Sequence, residues 1–484
     1  MQGDSTLVLN YIIYNPRHKI NLSLFEAEKY ESAVVVQSLV GTLVFYSNFG
    51  RYEPRIATSW ERIAPNVWEF HLSEKHRCEN GEQITAESFK KSLERTVVIF
   101  AKLGYVPVLS ELKGYNEFIA INRNKRLSEI TSLAGIVADG NRLRFEFTKP
   151  VKSGLLQILS FSPFGYLSME NFNEDGAWRD VERFVSSGPY RVERIAIGEN
   201  YTLTRNDGWP QFLKGSPEKI VIHHDSSAVE SNTPVIVDAF TQNFSHEALS
   251  RYKLVPEYIN SVLLGNLDGG YFSTIAARSA FKREFERIRD SILPLNFDGN
   301  DRSSAFYPTQ APPEDPILHK SREDLLATKY PLKIEGKEPE PGTPRHYAWK
   351  VLEKVLSEHK IPYVFSNTSG SFAEMTNRSY DIRIRGSSIG GGVEPWGLFV
   401  IFCSPFGINF PDPSGRVCQL VRDFENDEIN EQQTAAKFHH IVEEDAAILP
   451  VSHFGINMYF SDRIDRSSVS PLLSVIRFDQ LRID

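Results

Sequence analysis

The sequence predicts a mixed α/β protein built from several lobes, and three observations support this fold class. Segments with apolar residues at every second position alternate along the chain with segments of helical period. The alternation contains no internal repeat. The chain has 484 residues, 41% of them hydrophobic, which is enough for roughly three domain-sized units with real cores.

The strands and helices follow from these patterns in chain order. Alternating apolar residues predict strands at residues 6–14, 67–72, 142–147, 190–197, 201–205, 217–223 and 380–385. Helical spacing predicts helices around residues 30–39, 85–100, 346–359 and 428–447, after which Ile448–Val451 enters the C-terminal strands. Residues 298–344 are rich in Pro, Asp and Lys and show little periodicity, so we expect a long surface excursion there.

Large aromatic residues of the first half are expected to fill the core and not to bind a ligand. On the strand at 142–147, every second side chain from Leu143 to Phe147 should point inward. A tryptophan or phenylalanine on or beside an alternating strand is usually buried. We therefore predict structural roles for Trp60, Trp68 and Phe70.

Charge and hydropathy exclude several classes of partner. The chain has 62 acidic and 54 basic residues and a net charge of −8, and its longest basic run is Arg123–Arg126. Nucleic acid is therefore an unexpected partner. No run of 18 or more apolar residues is present, and the first residues lack a secretory signal. Either the protein stays inside the cell, or the sequence is that of a mature form.

Cysteines and histidines give no metal site. Cys403 and Cys418 are fifteen residues apart and could form a disulfide, or they could remain two separate thiols. The pairs His223-His224 and His439-His440 are expected at the surface, because adjacent residues point in different directions. We expect neither a metal nor a cofactor.

A glycine-rich segment follows the strand at 380–385. Gly386-Ser387-Ser388-Ile389-Gly390 matches the G-x-S-x-G pattern of serine hydrolases, with Ser388 as the nucleophile. That motif needs a helix directly after the serine, whereas Gly391-Gly392-Val393-Glu394-Pro395 follows here. We therefore do not expect an enzyme and favour a backbone segment that a ligand approaches closely, with hydrolysis as a minor alternative.

Five motifs resemble, in order, those of family 5 solute-binding proteins, the oligopeptide- and dipeptide-binding components of ABC importers. The segment Tyr52–Glu61 resembles the family's "y-x-P-x-l-A-x-s-W-e" signature. The others are Val67–Leu72, Asn80–Phe89, Ser187–Tyr190 with Leu203–Asn206 and Trp209, and Ala447–Val451. The match loosens after Trp209 and is absent from residues 298–367.

The resemblance implies a two-lobed periplasmic-binding-protein fold of class II, of the large family 5 type, with an extra N-terminal subdomain. Lobe I would comprise residues 1–32, an inserted subdomain at 33–164, residues 165–257 and residues 455–484. Lobe II would comprise residues 258–454. The chain would cross between the lobes near Pro256–Leu263 and near Pro450–Phe454.

The resemblance also implies a ligand buried between the lobes, paired with the segment that follows Tyr380-Asp381. We predict a cleft lined partly by residues 385–390, and ligand contacts at Tyr30, Phe240, Tyr258, Arg385, Gly386, Ser387, Ser388, Ile389, Gly390, His453 and Phe454.

The family's acidic residue for a peptide α-amino group falls here among Gly390, Gly391 and Gly392, which leaves Glu394 as a substitute. Arg383 and Arg385 share one strand face, so we expect better complementarity to an anionic or blocked group than to a free amino terminus. The alternative is that both arginines point to solvent from an edge strand.

The leading hypothesis is a non-catalytic binding protein that captures a peptide-like solute by closure of its lobes and delivers it to an ABC permease. It would act as a monomer, in the periplasm or anchored to the outside of a membrane. A ligand sensor of the same fold, with no role in transport, is the alternative. A serine hydrolase that uses Ser388 is the minor one.

Overall fold

A computed structural model gives the structure of two compact units of the chain. Unit 1 comprises Met1–Leu254 and Ile456–Asp484, and unit 2 comprises Val255–Gly455. The structure describes residues 7–13, 30–47, 51–102, 108–152, 154–177, 179, 184–195, 200–223, 233–239, 249–253, 258–297, 300–303, 328, 330–339, 341, 343–366, 380–388, 398, 402–403, 410–454, 457–469 and 476–484.

Strands of the described residues are numbered in chain order. They are β1 Val8–Ile13, β2 Val44–Ser47, β3 Arg51–Pro54, β4 Ala57–Ala64, β5 Val67–Leu72, β6 Ile136–Asp139, β7 Arg142–Glu146, β8 Tyr190–Ile195, β9 Asn200–Arg205, β10 Lys219–His223, β11 Val235–Ala239, β12 Ser250–Lys253, β13 Tyr258–Leu264, β14 Asn296–Phe297, β15 Asn300–Arg302, β16 Leu332–Glu335, β17 Tyr363–Ser366, β18 Ile382–Ser388, β19 Ile448–Phe454 and β20 Asn457–Phe460.

Helices of the described residues are numbered in the same way. They are α1 Tyr30–Leu39, α2 Ala86–Lys102, α3 Tyr115–Asn122, α4 Gly154–Ile158, α5 Ile275–Ile292, α6 Pro344–Glu358, α7 Arg416–Glu425 and α8 Glu431–Asp445.

The main sheet of unit 1 joins segments that are far apart in the sequence. Its strand order is β12-β20-β11-β1-β10-β9-β8, and β1 runs parallel to both β10 and β11. The C-terminal strand β20 lies between β11 and β12 and is antiparallel to both. Unit 1 therefore needs the end of the chain to complete its sheet.

A smaller sheet of unit 1, in the order β4-β5-β7-β6, carries the aromatic residues of the first half. Leu143, Phe145 and Phe147 are fully buried, as their alternation predicts. The buried Trp68 donates its indole N–H to the carbonyl of Val151 at 2.8 Å. The ring of Trp60 stacks on the buried Phe70, with centroids 6.4 Å apart. These contacts are structural, which agrees with the prediction for the three aromatics.

In unit 2 one sheet is covered by helices on both faces. Its strand order is β14-β15-β19-β13-β18-β16-β17, in which β13 is antiparallel to both β18 and β19. Apolar residues of α5 and α6 pack against one face, in a cluster with Val262, Leu264 and Ile382. Residues of α7 and α8 pack against the other face, in a cluster with Ile259 and Leu263.

The structure corrects one expectation about unit 2 and moves the start of a helix that it confirms. The expected surface excursion at 298–344 contains β15 and β16, and Leu332 and Ile334 of β16 are buried in the sheet core. Neither strand has a strong sequence signal, because each is short and is stabilised by pairing with distant segments. The helix expected at 428–447 begins at Glu431, where Asn430 caps it through a reciprocal pair of hydrogen bonds with Gln433.

Gly188 explains why the Ser187–Tyr190 motif needs a glycine. A Cβ atom at this position would lie 2.6 Å from the carbonyl carbon of Leu39, at the end of α1. The backbone N–H groups of Ser187 and Gly188 both donate to the carbonyl of Leu39. The close approach therefore completes the C-terminal hydrogen bonding of α1.

Buried charges connect the C-terminal segment of unit 1 to its first part. Burial alone would raise the pKa of Asp479, but the Arg477 and Arg55 cations lower it, and Arg477 donates to Asp479 at 2.9 Å. The guanidinium of Arg55 lies 5.1 Å from the ring centroid of Trp209 and 5.6 Å from that of Phe45. The attraction between these charges holds residues 477–479 against the strands near Arg55.

The imidazole of His76 lies fully buried against Trp209, with ring centroids 4.7 Å apart. Neither ring nitrogen has a hydrogen-bond partner within the described residues. Burial, together with the charge of Arg55, lowers the pKa of His76 from 6.5 to about 4. His76 is therefore neutral in the folded protein at physiological pH.

The depressed pKa of His76 predicts a loss of stability in acid. The unfolded chain takes up this proton near pH 6.5 and the folded chain only near pH 4. The stabilisation is therefore complete above pH 6.5 and falls as the pH is lowered towards 4, by about 3 kcal/mol in total. His76→Phe should remove that part of the pH dependence of the free energy of unfolding, measured by urea unfolding from pH 7 to pH 4. The exposed His440→Phe is the control, and an equal change in both variants would contradict the assignment.

Candidate functional site

The strand β18 is held in unit 2 by the carboxylate and backbone of Asp381, directly before it. Asp381 accepts hydrogen bonds from the backbone N–H of Lys333 at 2.8 Å and from the side chain of Asn266 at 2.7 Å. Its own N–H donates to the Lys333 carbonyl, and its carbonyl accepts from Gly265. One residue thus connects the end of β13, the start of β16 and the start of β18.

Seven of the predicted ligand contacts lie on three adjacent strands of unit 2. Within the sheet, Tyr258 of β13 is directly opposite both Ser388 of β18 and Phe454 of β19. The next residue, Ile259, is opposite Ser387 and His453. Arg385 and Gly386 precede these serines on β18. The sheet therefore brings together residues that are about 200 positions apart.

Gly386 lies next to the ring of Phe454, on the same face of the sheet. A Cβ atom at Gly386 would lie 3.5 Å from Cζ of Phe454, which is an ordinary van der Waals contact. Its φ is not positive, so the backbone accepts a side chain. The glycine is therefore not required by the fold at this position, in contrast to Gly188.

Within the described residues, one edge of β18 is unpaired over most of its length. In the part of the chain that the structure describes, β16 pairs with β18 only at Ile334 and Ile382. From Arg383 to Ser388 the strand has β13 on one side and no described strand on the other. Every second residue there directs its N–H and C=O groups to this side, where an extended chain can pair with them.

Arg383 does not present a free charge, which corrects part of the charge expectation. Its side chain is 1% exposed, lies 4.2 Å from the ring centroid of Tyr380, and forms a bidentate ion pair with Glu335. Burial, with the nearby charge of Arg385, lowers the pKa of Arg383 to about 9, so the guanidinium stays charged at neutral pH. Arg383 and Arg385 do share a face, but the alternative of two solvent-facing arginines on an edge strand is wrong for Arg383.

Sequence reasoning missed three buried polar residues on β13 and β19, which lie near the predicted contact His453. Asn260, Ser261 and Ser452 are fully buried, and His453 is 3% exposed. The hydroxyls of Ser261 and Ser452 have no hydrogen-bond partner among the described residues. A buried polar group without a partner often marks a place where water or a ligand binds. The sequence signal was the pair Asn260-Ser261 within an otherwise apolar strand.

The remaining predicted contacts belong to the other unit or lie outside the described residues. Tyr30 begins α1 and belongs to unit 1. Phe240, Ile389 and Gly390 lie outside the described residues, as does Glu394. The ligand contacts as a set, and the inserted subdomain at 33–164, stay predictions.

The position of Ser388 in the structure does not support its role as the nucleophile of a serine hydrolase. It lies within β18, opposite Tyr258 of β13. The nucleophile of a G-x-S-x-G hydrolase lies instead on a sharp turn that follows its strand. Ser388 is the last residue of β18 and is paired with Tyr258, and the residues that follow it lie outside the described part of the chain.

Cysteine chemistry is settled by a disulfide. Cys403 is bonded to Cys418, next to the apolar cluster of α7 and α8. Burial raises the pKa of the third cysteine, Cys78, and so keeps its thiol protonated.

Across the described residues, no group of three or more potential ligands is arranged to hold a metal ion. None of the described helices combines the length and apolar character that crossing a bilayer requires.

Comparisons with known proteins identify the fold and a family match. Residues 51–252 match the family model "Bacterial extracellular solute-binding proteins, family 5 Middle". The "Periplasmic oligopeptide-binding protein OppA" of Escherichia coli is 27% identical over 161 residues, which are 32% of this chain and 28% of that protein. The chain spans less than two fifths of the length of the first curated relatives that it matches.

Solved structures are similar over nearly the whole chain. The murein tripeptide binding protein MppA of Escherichia coli has a TM-score of 0.73 at 15% identity, over 99% of both chains. A periplasmic oligopeptide-binding protein, OppAIV, of Borrelia burgdorferi has a TM-score of 0.72 at 16% identity, over 99% of this chain and 100% of the other. This likeness confirms the predicted fold class.

The ion pair of Arg383 gives a test of how β18 is held. Glu335→Gln should lower the free energy of unfolding by about 3–5 kcal/mol, because it leaves a buried guanidinium without its counter-charge. The matched control is Glu358→Gln, since Glu358 pairs at the surface with Arg287 at 2.7 Å. It should cost about 1 kcal/mol or less. Urea unfolding measures both variants, and an equal loss would contradict a structural role for the Arg383 pair.

Proposed function

Because residues 51–252 belong to family 5 of the bacterial extracellular solute-binding proteins, and the whole chain has the fold of that family, we propose that this protein binds a peptide or peptide-like solute. It delivers this solute to the permease of an ABC importer, as a monomer and without catalysing a reaction. The family and the similar structures are those of binding proteins, which supports a binding role.

The observation that carries the proposal is the open edge of β18. A peptide in extended conformation pairs through its backbone, and β18 offers backbone groups from Arg383 to Ser388 on a side that no described strand occupies. Gly386, next to the ring of Phe454, has no side chain that would project from this part of the strand. Backbone pairing of this kind binds peptides of different sequence, because every residue supplies the same groups.

The disulfide supports a location outside the cytoplasm. Cytosolic reductants keep most thiols reduced, whereas disulfides persist in the periplasm and in secreted proteins. The bond between Cys403 and Cys418 therefore fits a protein that folds in an oxidising compartment. We propose a periplasmic or membrane-anchored extracytoplasmic protein.

Filling the space at Gly386 should block the ligand without harming the fold. Gly386→Val places a branched side chain beside the open edge of β18, in a backbone conformation that valine adopts readily in strands. We expect the melting temperature to stay the same or rise, while the ligand released by denaturation and detected by mass spectrometry falls at least tenfold.

The control for this variant is Gly269→Val in the same unit, where an added Cβ would meet no atom within 4 Å. It should retain the ligand at the level of the unaltered protein. Full retention of ligand by Gly386→Val, with an intact fold, would refute binding at this edge.

The positive charge of β18 predicts a preference about the ligand's amino terminus. Arg383 is compensated by Glu335, and Arg385 adds a second guanidinium on the same strand face. A free ammonium group near Arg385 is disfavoured by like charge. A peptide recovered from the protein and resynthesised with an acetylated amino terminus should bind as well as the free form in calorimetry. Weakening by more than tenfold, about 1.4 kcal/mol, would show that a carboxylate meets the ammonium.

A further inference from the structure

Unit 1 carries a surface cavity that the proposed peptide site does not use. Its volume is about 690 Å³, within the usual range for small-molecule sites. Basic residues dominate its lining: Lys102 at the end of α2, then Arg123, Lys125 and Arg126 after α3. The lining thus includes the longest basic run of a protein whose net charge is −8.

None of these four cations forms an ion pair within 4 Å among the described residues. The ammonium of Lys102 contacts only a backbone carbonyl, that of Asp175, at 3.3 Å. The carboxylate of Asp175 itself accepts a backbone hydrogen bond from Ala177. With the second acid of the lining, Glu174, the cavity carries four positive and two negative charges.

Glu174 is also engaged elsewhere. Its carboxylate accepts hydrogen bonds from the hydroxyl of Ser128 at 2.7 Å and from the Ser128 backbone. These bonds, with the charges of Arg126 and Arg179, lower the pKa of Glu174, so it is ionised and still leaves the cavity with a positive excess.

The backbone around the cavity is fixed before any ligand arrives. Asn122 closes the loop after α3 by donating to the carbonyl of Phe118 and to the hydroxyl of Thr131, both at 2.8 Å. The N–H of Leu127 donates to the carbonyl of Glu174, which joins this loop to the opposite wall. A rigid wall lowers the entropic cost of binding.

Helix dipoles explain only half of this charge. Lys102 and Arg123 lie at the C-terminal ends of α2 and α3, where a cation is favoured. Lys125 lies in a turn, and Arg126 precedes the first residue of a short 3₁₀ helix, where a cation is disfavoured. Glu174 offsets part of the charge of Arg126, and the positive excess that remains in the lining favours an anion.

We propose that this cavity binds a small anion with at least two phosphate groups. A guanidinium matches two phosphate oxygens at once, and Arg123 and Arg126 supply two such groups in a fixed loop. A cavity of 690 Å³ has room for more than one phosphate group, and its four cations can balance the charge of two.

Pyrophosphate is the probe that tests this site. Calorimetry at low ionic strength should detect binding to the full chain, and Arg123→Gln with Arg126→Gln should weaken it at least tenfold. The matched control is Lys75→Gln with Lys214→Gln, which removes two positive charges from exposed lysines of the same unit that do not line the cavity. It should change the affinity by less than twofold. Melting temperatures of both double variants check the fold.

Three outcomes would overturn the proposal. The first is no binding of pyrophosphate to the unaltered protein. The second is equal weakening in the two double variants, which would show that net charge alone is responsible. The third is binding to phosphatidylglycerol vesicles without binding to pyrophosphate, which would assign the cations to a lipid surface.

Discussion

Four hydrogen bonds made by Asp381 set the register on which the candidate site depends. They fix β18 against β13 and β16 at the point where the three strands meet. Side chains of a strand alternate between its faces, so a shift of one residue would turn Arg383 and Arg385 into the apolar cluster of α5 and α6. The same shift would move Gly386 away from Phe454. The observed register therefore keeps both arginines out of the apolar cluster and places Gly386 next to Phe454.

The buried pair of Arg383 and Glu335 strengthens this register. A buried ion pair adds little to stability compared with apolar residues, but breaking one is costly. Only the observed register lets Glu335 of β16 reach Arg383 of β18, while Tyr380 covers the guanidinium. The pair thus discriminates against wrong pairings of the strand. It also explains why two arginines next to the open edge of β18 do not act as two equivalent charges towards a ligand.

The sequence correctly predicted those strands and helices whose apolar period is visible within a few residues. The alternation from Leu143 to Phe147 identified a strand and its buried face, because the period of a strand is visible within a few residues. The strand at Leu332–Glu335 was missed, since it is four residues long and is stabilised by β17 and β18. The partnership of Glu335 with Arg383 spans 48 residues. No spacing rule connects such a pair, and the same limit left the disulfide between Cys403 and Cys418 open.

The sequence could suggest which segment belongs to the candidate site, but not which residues of other strands lie around that segment. Gly386 and its neighbours were predicted to be backbone that a ligand approaches, because glycine-rich sequence after a strand signals access to the main chain, and this stays a prediction. The sequence could not reveal that Tyr258 and Phe454 lie opposite this segment, nor that Asn260, Ser261 and Ser452 are buried beside it. These polar groups interrupt an apolar sheet where β18 has its open edge. The backbone groups of β18 at that edge can pair with a peptide of any sequence. Under the proposed function, the few side chains around the edge therefore discriminate among ligands. Under the same proposal, the charged Arg385 and the aromatic Tyr258 and Phe454 are the side chains that would select the solute.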